Sequence, residues 1–546
     1  MSVKSLPFSL IPRQSELFLK YLADPTSLKK YYPNTVESVE GIAQFVPELL
    51  ANYKTDRAEL CDALNEINIA AGAGQEILGN IELLREKDTV AVLTGQQAGL
   101  FTGPLYTVYK ALSAIKMAEQ LRDAGIKAVP VFWAATEDHD FEEVSEAWSL
   151  DSSGVLIQSK YQPADSMENA QVGNVVIDAQ IEHVVDDLFS GLPVTVHSAA
   201  EKEAIIAEWG EGRGFGAAFI ATLVRLLGEH GIVFVDPTHP KLRKLAAPIF
   251  ASAVRESEGL VDAIIARSRE LTDDGFHAQA LVEPDYFPLF WIDDEGRRLP
   301  LRKAGDGLYR IKGTKQELSR SELEDIAVNE PDRFSPGVML RSVVQDHLFP
   351  TACYFGGGAE IAYFAQNSVV YQMLGRPVTP IFHRQSFTVV EPKQKRAFEK
   401  LGLDFEQMFD GIEAIELKLS AGFPVMGSST RLFADAEEII NTELNRMDQH
   451  VSQIDATLAA HLAKRRRKIV YHVAALRKKT LLAQSRSDEI FQNRLNGLFA
   501  ALLPNGELQE RSINVFSFID RYGPHFIDWI YDAIDLDDRG HRLIEL

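Results

Sequence analysis

Only two cysteines, Cys61 and Cys353, occur in the 546 residues. That excludes a disulfide framework and leaves no cysteine-rich structural zinc site, and it makes a reducing cytoplasm the expected compartment. Long apolar runs are missing as well. None approaches the ~20 residues needed to span a bilayer, and the first twenty positions lack the basic start and apolar core of a secretion signal, so a soluble chain with no membrane partner is expected. Positive charge is scarce: 56 Lys and Arg against 78 Asp and Glu give a net charge of −22. This is the wrong sign for a general nucleic-acid or anionic-membrane binder, and no nucleic-acid partner is expected.

What is present is an ordinary apolar fraction of 46%, enough for a real core, and a length that suits two to four domains. The clearest pattern lies at 89–140. Residues 89–93 form a short β-branched run, and glycines at 95, 99 and 103 punctuate Thr94-Gly-Gln-Gln-Ala-Gly-Leu-Phe-Thr-Gly103. Pro104 suits a first helical position, Leu105, Val108, Leu112 and Ile115 follow at helical spacing, and Gly125 stops the helix. The apolar run 128–135 is too short for a buried helix and predicts a strand covered on both faces. It ends in Glu137-Asp-His-Asp140. The unit is β-loop-α-β, whose strands should be parallel and whose ligands should sit beyond the strands' carboxyl ends.

The pattern returns at 351–386: a strand at 351–355, the loop Gly356-Gly-Gly358, a helix at 359–374 stopped by Gly375, and a strand at 378–382 ending in His383-Arg-Gln-Ser386. Between the halves, Ile232-Val-Phe-Val235 is a third buried strand ending in Asp236-Pro-Thr-His239. The fold class is therefore α/β, with a Rossmann-like parallel sheet in residues 1–390. Connecting segments are inserted at about 145–230 and 275–335, the second an antiparallel insert from its alternation at 279–311. Residues 1–88 are mostly helical in pattern, and capping-box spacing at Ser321 and Glu324 opens a short helix.

After 391 the composition changes. Leu444, Met447, Val451, Ile454 and Leu458, then Leu462, Ile469, Val473 and Leu476, predict a long helix that pairs with another helix in the same chain or in a partner. Residues 391–504 form this helical coiled-coil domain, and 505–546 are C-terminal helices at 507–520 and 524–536. The basic run Lys464-Arg-Arg-Arg-Lys468 is either a solvated collar or an anion site gripped by guanidinium groups.

Gly95, Gly99 and Gly103 match neither the phosphate-loop ending Gly-Lys-Ser/Thr nor the dinucleotide spacing G-x-G-x-x-G. The loop offers backbone N–H groups at a helix N-terminus for a phosphate or carboxylate, or it makes a tight turn and nothing more. Gln96 and Gln97 can read a polar substrate without adding charge. Glu137, Asp138, His139 and Asp140 suit general-base work, amine binding or ribose binding, or else make a solvated loop end. No paired-histidine spacing supports a metal, so none is assigned. Asp236, His239, His383 and Arg384 are further candidates at strand ends.

Combined, Leu93-Thr-Gly-Gln-Gln-Ala-Gly-Leu-Phe-Thr-Gly-Pro-Leu-Tyr-Thr107, Pro130-Val-Phe-Trp133 with Glu137-Asp-His-Asp140, and Val344-Gln-Asp346 through Gly356-Gly357 to Glu360-Ile-Ala-Tyr363 resemble the BshC family, the cysteine ligases of bacillithiol biosynthesis. Pro504-Asn-Gly506, Gln509-Glu-Arg511 and Arg521-Tyr-Gly523 also fit it. The resemblance implies attachment of cysteine to glucosaminyl-malate, a Rossmann-like core, and a homodimer formed through the coiled coil. A more distant resemblance to class I aminoacyl-tRNA synthetases and the mycothiol cysteine ligase is partial, because no His-x-Gly-His and no Lys-Met-Ser-Lys-Ser run occurs. Carboxylate and amine do not condense unaided at neutral pH, so ATP, with Mg, is the expected activator. On this reading Thr94, Gly95, Gln96, Gln97, Gly99, Gly103, Gly356, Gly357 and Glu360 bind substrate or nucleotide, and His139 or an adjacent carboxylate takes the amine proton. The alternative is a non-catalytic dimeric scaffold or sensor for a nucleotide or thiol metabolite.

Overall fold

The run beginning at Val90 does form a strand, but it continues four residues past Leu93: β1 spans Val90–Gln97. Four further strands join it, β2 (Ala128–Ala135), β3 (Val233–Val235), β4 (Thr351–Gly356) and β5 (Ile381–His383). All pair in parallel, in the order β5-β4-β1-β2-β3. Every residue of β2 is buried, as expected of a strand covered on both faces. Read from the other edge, the order 3-2-1-4-5 is that of the first five strands of a doubly wound dinucleotide-binding sheet, whose direction of winding reverses between β1 and β4. The two β-loop-α-β halves thus meet at the crevice where such sheets bind ligands.

The computed structural model describes residues 2–164, 168–420, 424–485 and 488–546. One compact unit comprises 1–152, 156–388 and 509–544, and a second comprises 153–155, 389–508 and 545–546. In the first, helix α1 (Tyr106–Asp123) starts two residues later than expected, and Pro104 pairs instead with Asn514 in an isolated bridge. Helix α1 and the helix Val39–Asn52 cover one face of the sheet. Ile42, Phe45, Leu49, Ala114, Met117 and Leu121 pack there on Val90, Val92, Ala352 and Phe355. Cys353 lies in the same cluster, as core.

The insert between the halves is a five-stranded antiparallel sheet of order Glu317–Ser319, Leu308–Ile311, Arg298–Gly305, Tyr286–Ile292 and Phe334–Pro336. Its last strand leads into α2 (Val338–Leu348), and β4 leads into α3 (Gly358–Met373), which Gly375 stops at φ +64°. The capping box lies two residues earlier than expected, on Ser319 and Glu322. The ends of the chain also depart from the helical expectation. Ser2–Leu6 and His541–Glu545 are strands, joined with Ser386–Val390 in a three-stranded sheet. The expected helices at 507–520 and 524–536 are the shorter Gln509–Ser512, Phe516–Tyr522 and His525–Asp532.

In the second unit the predicted single helix across 444–476 is two, α4 (Pro424–Ile454) and α5 (Ala456–Ser485), turning at Asp455 and packing on each other. Neither proline nor glycine marks that turn, so helical periodicity reads straight through it. Arg466, from the basic run, donates to Asn445 at 2.7 Å and Asn441 at 2.9 Å across the hairpin.

Candidate functional site

At the carboxyl ends of β1 and β2 lies a cavity of about 400 Å³, lined by Gly95, Gln96, Gln97, Ala135, Glu137, Asp138, Tyr286, Phe290, Arg298, Pro336, Val338, Arg341 and Glu360. The core supplies the acids and amides, and the antiparallel insert with α2 supplies the aromatics and arginines.

Gly95 has an ordinary extended backbone. It is glycine because β1 and β2 approach so closely that a Cβ would lie 2.8 Å from the Trp133 carbonyl oxygen. Gln96 donates to the Tyr106 hydroxyl at 3.2 Å and accepts from Lys110 at 2.9 Å. Gln97 donates to Asp138 at 2.9 Å and Glu143 at 3.0 Å. Thr94 is buried, its hydroxyl donating to the Phe355 carbonyl across to β4.

The four residues after β2 have four different surroundings. Glu137 is 2% exposed. Its Oε1 lies 3.4 Å from the Trp133 indole nitrogen, and its Oε2 has no hydrogen-bond partner among the described residues. Burial pushes this carboxyl above its usual range against the pull of Arg243, Arg341 and Arg298. Asp138 behaves oppositely. Burial raises it too, but hydrogen bonds from the His139 backbone amide and from Gln97 and the charge of Arg298 outweigh that and hold it well below the carboxylate range. His139 Nδ1 accepts from Arg298 at 2.9 Å, because a guanidinium can only donate, so its ring lone pair is taken. Asp140 points elsewhere and caps the short helix Phe141–Val144.

Arg298 is nearly saturated: besides Asp138 and His139 it donates to Ser335 Oγ at 3.0 Å and the Pro336 carbonyl at 2.9 Å, and it lies over the Phe290 ring. Arg341 is not. In the first turn of α2, it donates to the Tyr363 hydroxyl at 3.0 Å and makes no ion pair among the described residues. The Tyr286 hydroxyl, buried at the cavity wall, has no partner there either.

Of the two readings of the glycine loop, anion cradle or tight turn, the stretch 102–107 fits the turn. The amides of Thr102, Gly103, Leu105 and Thr107 are bonded to the carbonyls of Gly99, Leu100, Ile513 and Pro104 at 2.8 to 3.1 Å, so none of the four is free for an anion. Gly99 and Gly103 pack against each other, with 2.9 Å left for a Cβ at Gly99 and φ +70° at Gly103, and neither lines the cavity. In the second loop the Gly357 amide donates to Glu360 at 2.8 Å, and a Cβ on Gly356 would meet Glu360 Cβ. Glu360 is the member of that loop that reaches the cavity.

The remaining candidates lie away from it. Asp236 accepts from Thr136 Oγ1, Thr238 N and Thr238 Oγ1 and so shapes its own turn. His239 faces Glu66 at 3.2 Å. His383 packs edge-on to Phe8 and against Phe18, and Arg384 forms a buried pair with Glu510 at 2.7 Å.

Lys110, Tyr286, Phe290, Arg298 and Arg341 were not singled out from the sequence. Lys110 had a signal, as the one charged residue in the apolar stretch 105–115. The two arginines had none, because alternating or helical surface positions carry arginine routinely.

Comparison with known families bears on this arrangement. A model described as the N-terminal Rossmann-like domain of bacillithiol biosynthesis BshC matches residues 1–385, and one described as its C-terminal coiled-coil domain matches 387–546. The chain belongs to the BshC family. Relatives within the family match end to end. One from Salinibacter ruber, named "Putative cysteine ligase BshC", is 33% identical over 97% of this chain and 96% of its own length. Relatives of the same name from Koribacter versatilis and Solibacter usitatus are 32% and 33% identical, covering 99% and 98% of both chains. Two features of this BshC chain thus agree between structure and family: the parallel sheet and the helical hairpin that follows it. Among the described residues no helix is long and apolar enough to cross a membrane.

Proposed function

We propose that this chain is a cysteine ligase that joins the carboxyl group of cysteine to the amine of glucosaminyl-malate. The observation that carries the reading is the end-to-end match to relatives named "Putative cysteine ligase BshC". The cavity at the β1–β4 crossover supports it chemically. An amine must lose a proton as it attacks a carboxyl carbon, and Glu137 offers a buried carboxylate whose proton affinity burial raises, the direction that favours a base, and whose Oε2 is unengaged among the described residues. Asp138 and His139, both bound to Arg298, fix the loop that carries Glu137. Arg341 gives an unpaired guanidinium for a carboxylate or phosphoryl oxygen, with the Tyr286 hydroxyl as a second donor. ATP, when bound, supplies the group that makes the carboxylate oxygen a leaving group. The unpaired Arg341 fits such an anion, whereas the occupied amides of Thr102, Gly103, Leu105 and Thr107 do not.

The same reading includes a homodimer. On α4, Leu432, Ile439, Met447 and Ile454 are exposed at intervals of seven, eight and seven residues, an apolar stripe about 80° wide that suits a second copy.

Mass spectrometry of purified protein with cysteine, glucosaminyl-malate and ATP tests the reaction. The cysteinyl adduct is expected with AMP or ADP, whichever appears identifying the activated group. No adduct with any nucleotide would sink the ligase reading.

A further inference from the structure

Lys110 lies behind the cavity and does not line it, yet each of its three partners does. Its ammonium donates to the Gly95 carbonyl at 2.9 Å and to Gln96 Oε1 at 2.9 Å, both on β1, and pairs with Glu360 Oε2, on the first turn of α3. An ammonium has three N–H donors, and all three are used. Two bind the strand before the winding reversal and one binds the helix after it, so a single side chain 3% exposed ties the two halves of the sheet together beneath the ligand crevice. Glu360 is held equally firmly, with Tyr354 donating to Oε1 at 2.7 Å and the Gly357 amide to Oε2. Gln96 is gripped at both ends, by Lys110 and Tyr106, which fixes the face of its amide that meets the cavity.

We propose that Lys110 is a positioning residue for the ligation site: it acts through Gln96 and Glu360, setting where their polar groups stand at the cavity wall, without touching substrate. This rests on reading the cavity as the active site. The alternative is that Lys110 does no more than neutralise a buried carboxylate. That simpler role would vanish if the carboxylate lost its charge, because removing both members of a buried ion pair leaves no uncompensated charge.

The test follows from this difference. Lys110→Met alone strands Glu360 and is expected to unfold at lower temperature than wild type, so the informative protein is Lys110→Met with Glu360→Gln. Positioning predicts that the double variant folds with a crystal structure in which the Gln96 amide has turned from its wild-type orientation. It also predicts turnover lower by about 100-fold, the scale of a misplacement near 1 Å. Gln96→Ala added to the double variant should then cost little more, since the two act as one unit. A double variant with Gln96 in place and wild-type turnover would overturn the proposal. If wild-type protein makes no adduct, the ligase reading fails by itself, and the Gln96 orientation in the double variant still decides the role of Lys110.

Discussion

Two neighbouring carboxyls, Glu137 and Asp138, are driven in opposite directions by what surrounds them. Glu137 is buried and Asp138 only partly so; Asp138 collects the His139 amide, Gln97 and Arg298, while Glu137 keeps one oxygen without a partner among the described residues. On the proposed ligase reading, the carboxyl with a free Oε2 is the base and the hydrogen-bonded one the anchor. Glu137→Gln is therefore expected to lower turnover by about 100-fold or more with the fold intact by circular dichroism. Retained wild-type turnover would move the base elsewhere. A second residue makes a stability prediction. His541 is fully buried, and its Nδ1–H donates to Ser386 Oγ at 2.7 Å while Nε2 accepts from Thr388 at 2.9 Å; Ser386 in turn donates to Glu510. Burial brings its imidazole down to about 4, against the opposing charge of Glu510. Because the folded value lies below the unfolded one, this contribution to stability is present above pH 6.5 and is lost as pH falls toward 4. In His541→Gln, urea unfolding free energies between pH 6.5 and 4 should slope less, by up to about 3 kcal/mol across the window. An unchanged slope would count against a neutral buried imidazole.

At the scale of elements, the turn after β1 shows how a remote segment holds a strained one. Phe101 and Thr102 adopt φ of +50° and +80°, conformations that cost a side-chain-bearing residue about 1 kcal/mol or more each. Asn514 holds them there, its side-chain amide donating to the Phe101 carbonyl at 2.7 Å and the Gly103 carbonyl at 2.8 Å, with all three residues buried or nearly so. Asn514→Ala leaves two buried carbonyls without that donor, and unfolding in urea should show a loss of at least about 2 kcal/mol. A change under about 0.5 kcal/mol would mean the turn needs no clasp. The glycines at 95, 99 and 103 were visible in the sequence, but their purpose was not. Gly95 serves strand approach, Gly99 and Gly103 serve the turn, and the clasp lies more than 400 positions along the chain.

For the whole molecule, the proposed dimer depends on the apolar stripe of α4. Replacing Ile439 and Ile454 by Asp puts two charges into that stripe and should convert a dimer to a monomer in sedimentation velocity. Wild-type protein sedimenting as a monomer at micromolar concentration would refute assembly through this face. The hairpin turn at Asp455 matters here, because it gives α4 a partner in its own chain along one side and leaves the stripe for another.

The sequence alone determined the parallel sheet, since a run such as 128–135, apolar throughout and bounded by Gly125 and by acids, is a local pattern set by strand geometry and by turn residues. It also determined the family, through motifs spread along the chain, and it drew attention to Glu137. Tertiary structure decided which of four adjacent polar residues keeps one oxygen without a partner among the described residues, which cations face the cavity, and that Lys110 reaches both sides of the winding reversal. It also made strands of the two chain ends and bent one helical pattern into a hairpin. These depend on desolvation and on partners brought from far along the chain, such as Arg298 on Asp138 and Glu510 on Arg384, and neither quantity exists until the chain has folded.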